Sequence, residues 1–113
     1  MSYYGLNLNI EFVDVAGAAY TLTEADNGKI IRFNTAAACT LTLPEQATAS
    51  LPEGFNAQFR NAHAAPGQIT LATEGTDTLS GAGTVTNDSS KLNGVYLETA
   101  GTPNAWVAVG DFA

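Results

Sequence analysis

The sequence predicts an all-β fold: a small antiparallel β-sandwich or barrel of eight or nine short strands, with an extended N-terminal arm. Short stretches in which apolar and polar residues alternate recur along the chain, and this two-residue period is typical of half-buried strands. Turn signals rich in Gly, Pro, Asn and Asp separate them at intervals of about 8–12 residues, the spacing of a sandwich or barrel. No stretch shows the period of a helix of ordinary length.

The length of 113 residues favours one domain, divided here into an N-terminal arm or strand (1–15) and a single β domain (16–113). A chain of this size buries only a thin core. Only 13% of the residues are charged, against about 25% in average globular proteins. This composition fits two possibilities equally: part of the surface lies against other protein, or a neutral, threonine-rich β surface faces water.

The N-terminal segment contains a strand of about seven residues, because apolar residues alternate with polar ones between positions 6 and 12. Two tyrosines precede this strand. They belong either to a frayed N-terminus or to an arm whose aromatic rings dock on a neighbouring protein. The predicted partner-binding residues are Tyr3, Tyr4, Leu6, Leu8, Ile10 and Phe12.

The stretch 20–44 organises the rest of the domain, and it predicts strands at 20–23, 29–34 and 39–43. Thr23 caps a short turn over 24–26, and the Asn-Gly pair that follows ends the turn. Further strands are expected at 55–60, 68–73, 78–80, 92–99 and 105–109, with a hairpin loop at 100–104. The predicted core residues are Leu22, Ile31, Phe33, Leu41, Leu43, Phe59, Ile69, Leu71, Val95, Leu97 and Trp106.

A family resemblance lies in the order of several short motifs. The residues YTLTEADNGKIIRF at 20–33, a small-residue loop and CTLTLP at 39–44 resemble a β-module of tail fibres and other virion structural proteins of tailed bacteriophages. The stretches LPEGFNAQF, PGQITL and AWVAVGD follow in the same order, so the resemblance covers roughly residue 18 to the C-terminus. It implies a structural or binding module with three-fold assembly, and it brings no catalytic residues.

Charge argues against a nucleic-acid partner. The net charge is −7, and the basic residues are Lys29, Arg32, Arg60 and Lys91, which are scattered along the sequence. Neutralising phosphates needs clustered cations, so we expect no nucleic acid and no anionic membrane as partner. The N-terminus lacks the pattern of a signal peptide and no stretch has the apolar length of a transmembrane helix, so we expect assembly in a cytoplasm.

The residues that could support catalysis are few. Cys39 lies on the apolar side of its strand, where it is expected to be a buried small hydrophobe. His63, in a loop, is expected to be a plain surface histidine, and no base is placed beside a nucleophile. Glu24 and Asp26 are expected to serve the turn rather than acid–base chemistry. We therefore expect no enzyme activity and no cofactor.

Two binding possibilities are weighed in the same way. Glu74, Asp77 and Asp88 match no calcium loop, so a solvated acidic rim is expected and no metal site. Trp106 or Tyr96 could stack on a sugar ring, which would suit receptor binding, although packing between strands is favoured for both.

The function that we favour is capsid decoration: a virion structural protein that binds the outside of a phage shell, stabilises it and forms a homotrimer. Its partners would be further copies of itself and the major capsid protein. A tail-fibre or baseplate receptor-binding module is the alternative, although fibre chains usually carry a long trimerising shaft. A small hydrolase is a third possibility, against which the residue inventory argues.

Overall fold

The structure, a computed structural model, describes residues 10–112, which form strands and one short 3₁₀ turn. The elements in chain order are β1 (Phe12–Val15), β2 (Ala19–Thr21), the 3₁₀ turn (Glu24–Asp26), β3 (Ile30–Phe33), β4 (Cys39–Leu43), β5 (Asn56–Asn61), β6 (Ile69–Thr73), β7 (Thr78–Gly81), β8 (Asn93–Thr99) and β9 (Ala105–Val109). The predicted all-β class is confirmed. Within residues 10–112 no helix is long and apolar enough to cross a membrane.

The strands form two sheets around one core. The six-stranded sheet has the order β1-β3-β5-β8-β9-β7, and the three-stranded sheet has the order β2-β4-β6. From β1 to β6 the chain crosses between the sheets after every strand, and each strand lies parallel to the one two positions earlier. We call β1 with β2 the first coil, β3 with β4 the second, and β5 with β6 the third.

The prediction of an antiparallel fold is wrong for most of the structure. Five of the seven strand pairings are parallel, and only β5 with β8 and β8 with β9 run antiparallel. The physical reason lies in the short connections. The loop between β3 and β4 carries the chain across the core into the other sheet, whereas a hairpin would return it alongside the strand it has just left.

The core lies between the inward faces of the two sheets, and its composition is confirmed. All eleven predicted core residues are buried, with Trp106 at 1% exposure and Phe59 at 0%. The rings of Phe55 and Trp106 meet edge to face with centroids 6.1 Å apart, an arrangement that aromatic pairs prefer. Alternation of apolar residues therefore identified the inward face of each major strand correctly.

Buried polar side chains hold the loops against this core. Asn61 is fully buried at the end of β5, where its side-chain amide donates to the carbonyl oxygens of Thr35 (2.7 Å) and Gly67 (3.0 Å). Asn104, also fully buried, accepts from the Gly101 N–H at 2.9 Å with its Oδ1. These amides satisfy backbone groups that the ladders leave unpaired.

The predicted N-terminal arm lies only partly within the described residues. Of positions 1–15, the structure describes 10–15, and Phe12–Val15 form β1 at one edge of the six-stranded sheet. The end of the predicted arm is therefore a strand of the domain itself.

Candidate binding surface

The predicted partner-binding residues fall into two groups. Tyr3, Tyr4, Leu6 and Leu8 lie outside the described residues. Ile10 and Phe12 are described, and both are exposed, at 65% and 47%. These two side chains are among the most exposed large apolar groups of the described chain.

The alternation of apolar residues changes face between Phe12 and Val13. Val13 and Val15 pack against the core, whereas Phe12 is exposed on the opposite side of the same strand. Apolar residues occupy every second position from 6 to 12 in the sequence. The last of them, Phe12, points away from the core. The apolar side of this segment, at Ile10 and Phe12, is thus left open to another surface.

Arg32 on β3 contacts both Phe12 and Asp14 on the outward face of the six-stranded sheet. Its guanidinium carbon lies 4.0 Å from the centre of the Phe12 ring, within the range of a cation–π contact. Its Nε and Nη2 donate to the two carboxylate oxygens of Asp14 at 2.6 and 3.2 Å. The hydrogen bond from Arg32 lowers the pKa of the Asp14 carboxyl, and the same bond raises the pKa of Arg32. The sequence did not indicate this trio, because its members meet only through the parallel register of β1 and β3.

A shallow depression of about 430 Å³ lies on the outward face of the six-stranded sheet. It is located over Gly94 on β8, where a Cβ atom would come within 3.3 Å of Cγ2 of Val109. Gln58 and Tyr96 also line it, which combines an amide, an aromatic ring and apolar groups. Trp106 faces the core on β9 and is not accessible to a ligand, so only Tyr96 of the two proposed sugar-stacking residues lies at the surface.

Asp26 serves the local structure of the 3₁₀ turn. Its carboxylate is buried, and its Oδ2 accepts from the Tyr20 hydroxyl at 2.8 Å, the Thr23 N–H at 2.8 Å and the Thr23 hydroxyl at 3.2 Å. Burial, followed by the bond to Asp26, raises the pKa of Tyr20. With these donors around it, the carboxylate stabilises the turn, as the sequence predicted for this acidic segment.

Cys39 and His63 each have partners of their own. Cys39 is buried, burial raises the pKa of its thiol, and the Asn61 amide approaches its sulfur at 3.6 Å. Nδ1 of His63 accepts from the Ala65 N–H at 3.0 Å, which makes it part of a local turn. A buried thiol with a raised pKa is a poor nucleophile.

The three acids that were weighed as calcium ligands have other partners. Oε1 of Glu74 accepts from the Glu45 N–H at 3.1 Å, and Oδ1 of Asp77 accepts from the Asn104 N–H at 2.8 Å. Asp88 accepts from the Ser90 N–H and hydroxyl. Among residues 10–112 no group of three or more His, Cys, Asp or Glu side chains could hold a metal ion.

Comparison of the chain with protein-family models, with curated proteins and with solved structures finds no match. The functional assignment therefore depends on the sequence motifs and on the surfaces described above.

Proposed function

We propose that the protein is a capsid decoration protein of a tailed bacteriophage. It binds the outside of the assembled shell, bridges neighbouring capsid subunits and stabilises them without chemistry. Its partners are the major capsid protein and two further copies of itself, and it takes up its place on the outer capsid surface after assembly in the host cytoplasm. The two sheets then act as a small β-sandwich that carries the binding segment.

The observation that carries the proposal is the exposed apolar side of the N-terminal segment. Ile10 and Phe12 are exposed at the start of an outermost strand, while the core is filled from Val13 onward. Exposed apolar side chains of this kind favour contact with another protein, and the alternating pattern in the sequence adds leucines at positions 6 and 8. The motif order resembling phage virion modules supports a shell or tail as the place of contact.

Three-fold assembly would make weak contacts effective. A trimer presents three N-terminal segments at once, and linkage can raise avidity over single-segment affinity by a factor of about 10²–10⁴. A protein that binds only the assembled lattice stabilises that lattice by mass action. The net charge of −7 is suited to a surface that faces away from packaged DNA.

Deletion of residues 1–12 tests the binding role of the segment. We expect a folded β domain that no longer coats capsids in a co-sedimentation assay. The double substitution Ile10→Ser with Phe12→Ser should weaken coating, whereas Leu92→Ser, at an apolar residue 47% exposed like Phe12 but distant in sequence, should not. Full occupancy by the truncated protein would contradict the proposal.

Analytical ultracentrifugation tests the assembly state separately. We expect a trimer at micromolar concentration, because a thin core and a low charged fraction leave surface that further copies can bury. A monomer both in solution and on the particle would contradict trimer formation.

A receptor-binding module of a tail fibre or baseplate is the second candidate, and the depression over Gly94 favours it. Tyr96 offers a ring for stacking, and Gln58 offers an amide for hydrogen bonds to hydroxyl groups. Locating the chain on intact particles by immunogold labelling separates the two functions. Hundreds of copies over the shell support decoration, and a few copies at the tail support receptor binding.

A further inference from the structure

The two strands of the first coil are the edge strands of their sheets, on the same side of the molecule. β1 is the outermost strand of the six-stranded sheet, and β2 is the outermost strand of the three-stranded sheet. Within residues 10–112, no strand pairs with the far side of either one. We call these two far sides the free edges of the first coil.

The hydrogen-bond register shows which backbone groups lie on the free edges. The Ile30 N–H donates to the Glu11 carbonyl oxygen at 3.0 Å, so Glu11 and every second residue after it face β3. Phe12 and Asp14 consequently direct their N–H and C=O groups away from the sheet. By the same argument, from the Thr40 N–H to the Ala18 carbonyl oxygen at 2.8 Å, Ala19 and Thr21 do so on β2.

The core is less covered at this end than in its middle. The inward side chains of the first coil, Val13, Val15 and Tyr20, are only half-buried. Their counterparts one coil further in, among them Ile31 and Leu41, have 0% exposure. One more layer of strand at this end would cover apolar side chains and satisfy backbone groups together, as stacking does between the units of coiled β structures.

The charge of this end selects the kind of partner. Residues 10–28 contain no Lys or Arg, and their exposed acids are Glu11, Asp14 and Glu24. Arg32 pairs with Asp14, and Asp26 is buried. Glu11 and Glu24 therefore carry the unbalanced negative charge of this end. Two copies meeting through this end would place acids against acids, which disfavours a second copy as the occupant. A strand that carries basic side chains would instead be attracted.

We propose that the free edges of the first coil form a docking site for an extended, basic polypeptide segment of a partner protein. The segment adds as a strand to β1 or to β2, hydrogen-bonds to the backbone groups of Phe12, Asp14, Ala19 and Thr21, and covers the half-buried core. This goes beyond the proposed function, because it defines the chemistry of the partner segment whether that partner belongs to a shell or to a tail.

A fluorescent ten-residue peptide that alternates Val or Thr with Lys serves as the probe, and anisotropy measures its binding to the full chain. Proline at a free-edge position removes one N–H donor and blocks strand addition, yet it leaves the internal ladder intact. Asp14→Pro and Thr21→Pro are therefore compared with Asp14→Ala and Thr21→Ala. We expect saturable binding that at least one proline variant weakens about tenfold relative to its alanine partner.

Hydrogen exchange of the unmodified protein gives a second readout that does not depend on the folding of any variant. Saturating peptide should slow exchange at the amides of Asp14 or Thr21, while the amides of Val13 and Val15, which face β3, should change little. A peptide with Glu in place of Lys should bind at least tenfold more weakly at low salt.

Several results would overturn the proposal. They are absence of saturable binding at millimolar peptide, equal loss in the proline and alanine variants, unchanged exchange at all free-edge amides, and equal affinity for the Glu peptide. If the proline variants instead dissociate an oligomer of the protein alone, a second copy occupies the edges and the proposal is wrong. The double substitution Ile10→Ser with Phe12→Ser keeps the backbone groups of both free edges, so its capsid-coating result is independent of these outcomes.

Discussion

Asn61 pairs with both backbone groups of Thr35. Its Nδ2 donates to the Thr35 carbonyl oxygen at 2.7 Å, and its Oδ1 accepts from the Thr35 N–H at 3.1 Å. One buried side chain thus hydrogen-bonds to the backbone of the loop between β3 and β4, as a neighbouring strand would. The same Oδ1 accepts from the His63 N–H at 3.2 Å, so two loops converge on one amide.

Asn61→Ala should lower the free energy of unfolding by more than about 3 kcal/mol. The substitution leaves the part-buried Thr35 N–H, His63 N–H and Gly67 carbonyl oxygen without this partner, and each costs about 1–3 kcal/mol. Urea denaturation measures the change. Asn56→Ala is the matched control, because the Asn56 amide bonds to Gly54 in an exposed turn and should contribute less than about 1 kcal/mol. Similar losses for both variants would contradict this role of Asn61.

Gly67→Ala should be strongly destabilising, whereas Gly17→Ala should not. A Cβ atom on Gly67 would overlap the backbone of Ala37, and a backbone neighbour cannot rotate away. Gly17 has nothing within 4 Å of the same atom. Thermal denaturation by circular dichroism should show a large fall in Tm for Gly67→Ala and little change for Gly17→Ala. Equal melting temperatures would be incompatible with the close approach of Gly67 to Ala37.

Phe59→Ala should cost about 3–5 kcal/mol of unfolding free energy, the usual range for removing a large aromatic side chain from a core. Phe59 has 0% exposure, and its ring meets that of Phe112 edge to face with centroids 6.1 Å apart. Val109→Ala, at a residue 49% exposed, is the control and should cost less than about 1 kcal/mol. A loss below about half a kcal/mol at Phe59 would place it outside the core.

The pKa of the Asp14 carboxyl should lie below its ordinary value and should return toward it in Arg32→Gln. The hydrogen bond from Arg32 is the main cause of the lowered pKa. A group whose pKa is lower in the folded state adds stability at pH values above its unfolded pKa, and this stability is lost as pH falls through the folded pKa. The carboxyl carbon shift of Asp14, followed by NMR between neutral and acidic pH, measures both pKa values. A pKa that does not change in Arg32→Gln would contradict the ion pair.

Alternation in the sequence was sufficient to predict which side of each major strand is buried. Cys39, Leu41 and Leu43 follow a strict two-residue period, and all three face the core. The hairpin between β8 and β9 was also predictable, because a loop of five residues joins two adjacent antiparallel strands. In both cases the signal is local, and neighbouring residues alone determine the result.

The parallel winding was not predictable from the same signals. The connection from β3 to β4 has a loop of hairpin length, yet it joins strands in different sheets. The pairing of Cys39 with Ile69 depends on the arrangement of all three coils. The alternation of apolar residues within β4 or β6 does not indicate which strand lies beside it. The change of face at Phe12 was not predictable either, because Phe12 and Val13 are both apolar and alternation alone does not decide which of them faces the core.

The turn before β5 begins at Pro52, because the Phe55 N–H donates to the Pro52 carbonyl oxygen at 3.0 Å. Gly54 then occupies its third position with φ of 84°, where a glycine is favoured.

The position of β9 between β8 and β7 has a consequence for synthesis on the ribosome. β7 precedes β9 in the chain but joins the six-stranded sheet only through it. Until residues 105–109 have left the exit tunnel, β7 has no strand beside it and Trp106 cannot fill the core. The three coils can wind while translation continues, but closure of the sheet waits for β9, and a ribosome that stalls in the loop 100–104 holds a nascent chain with unpaired strand edges.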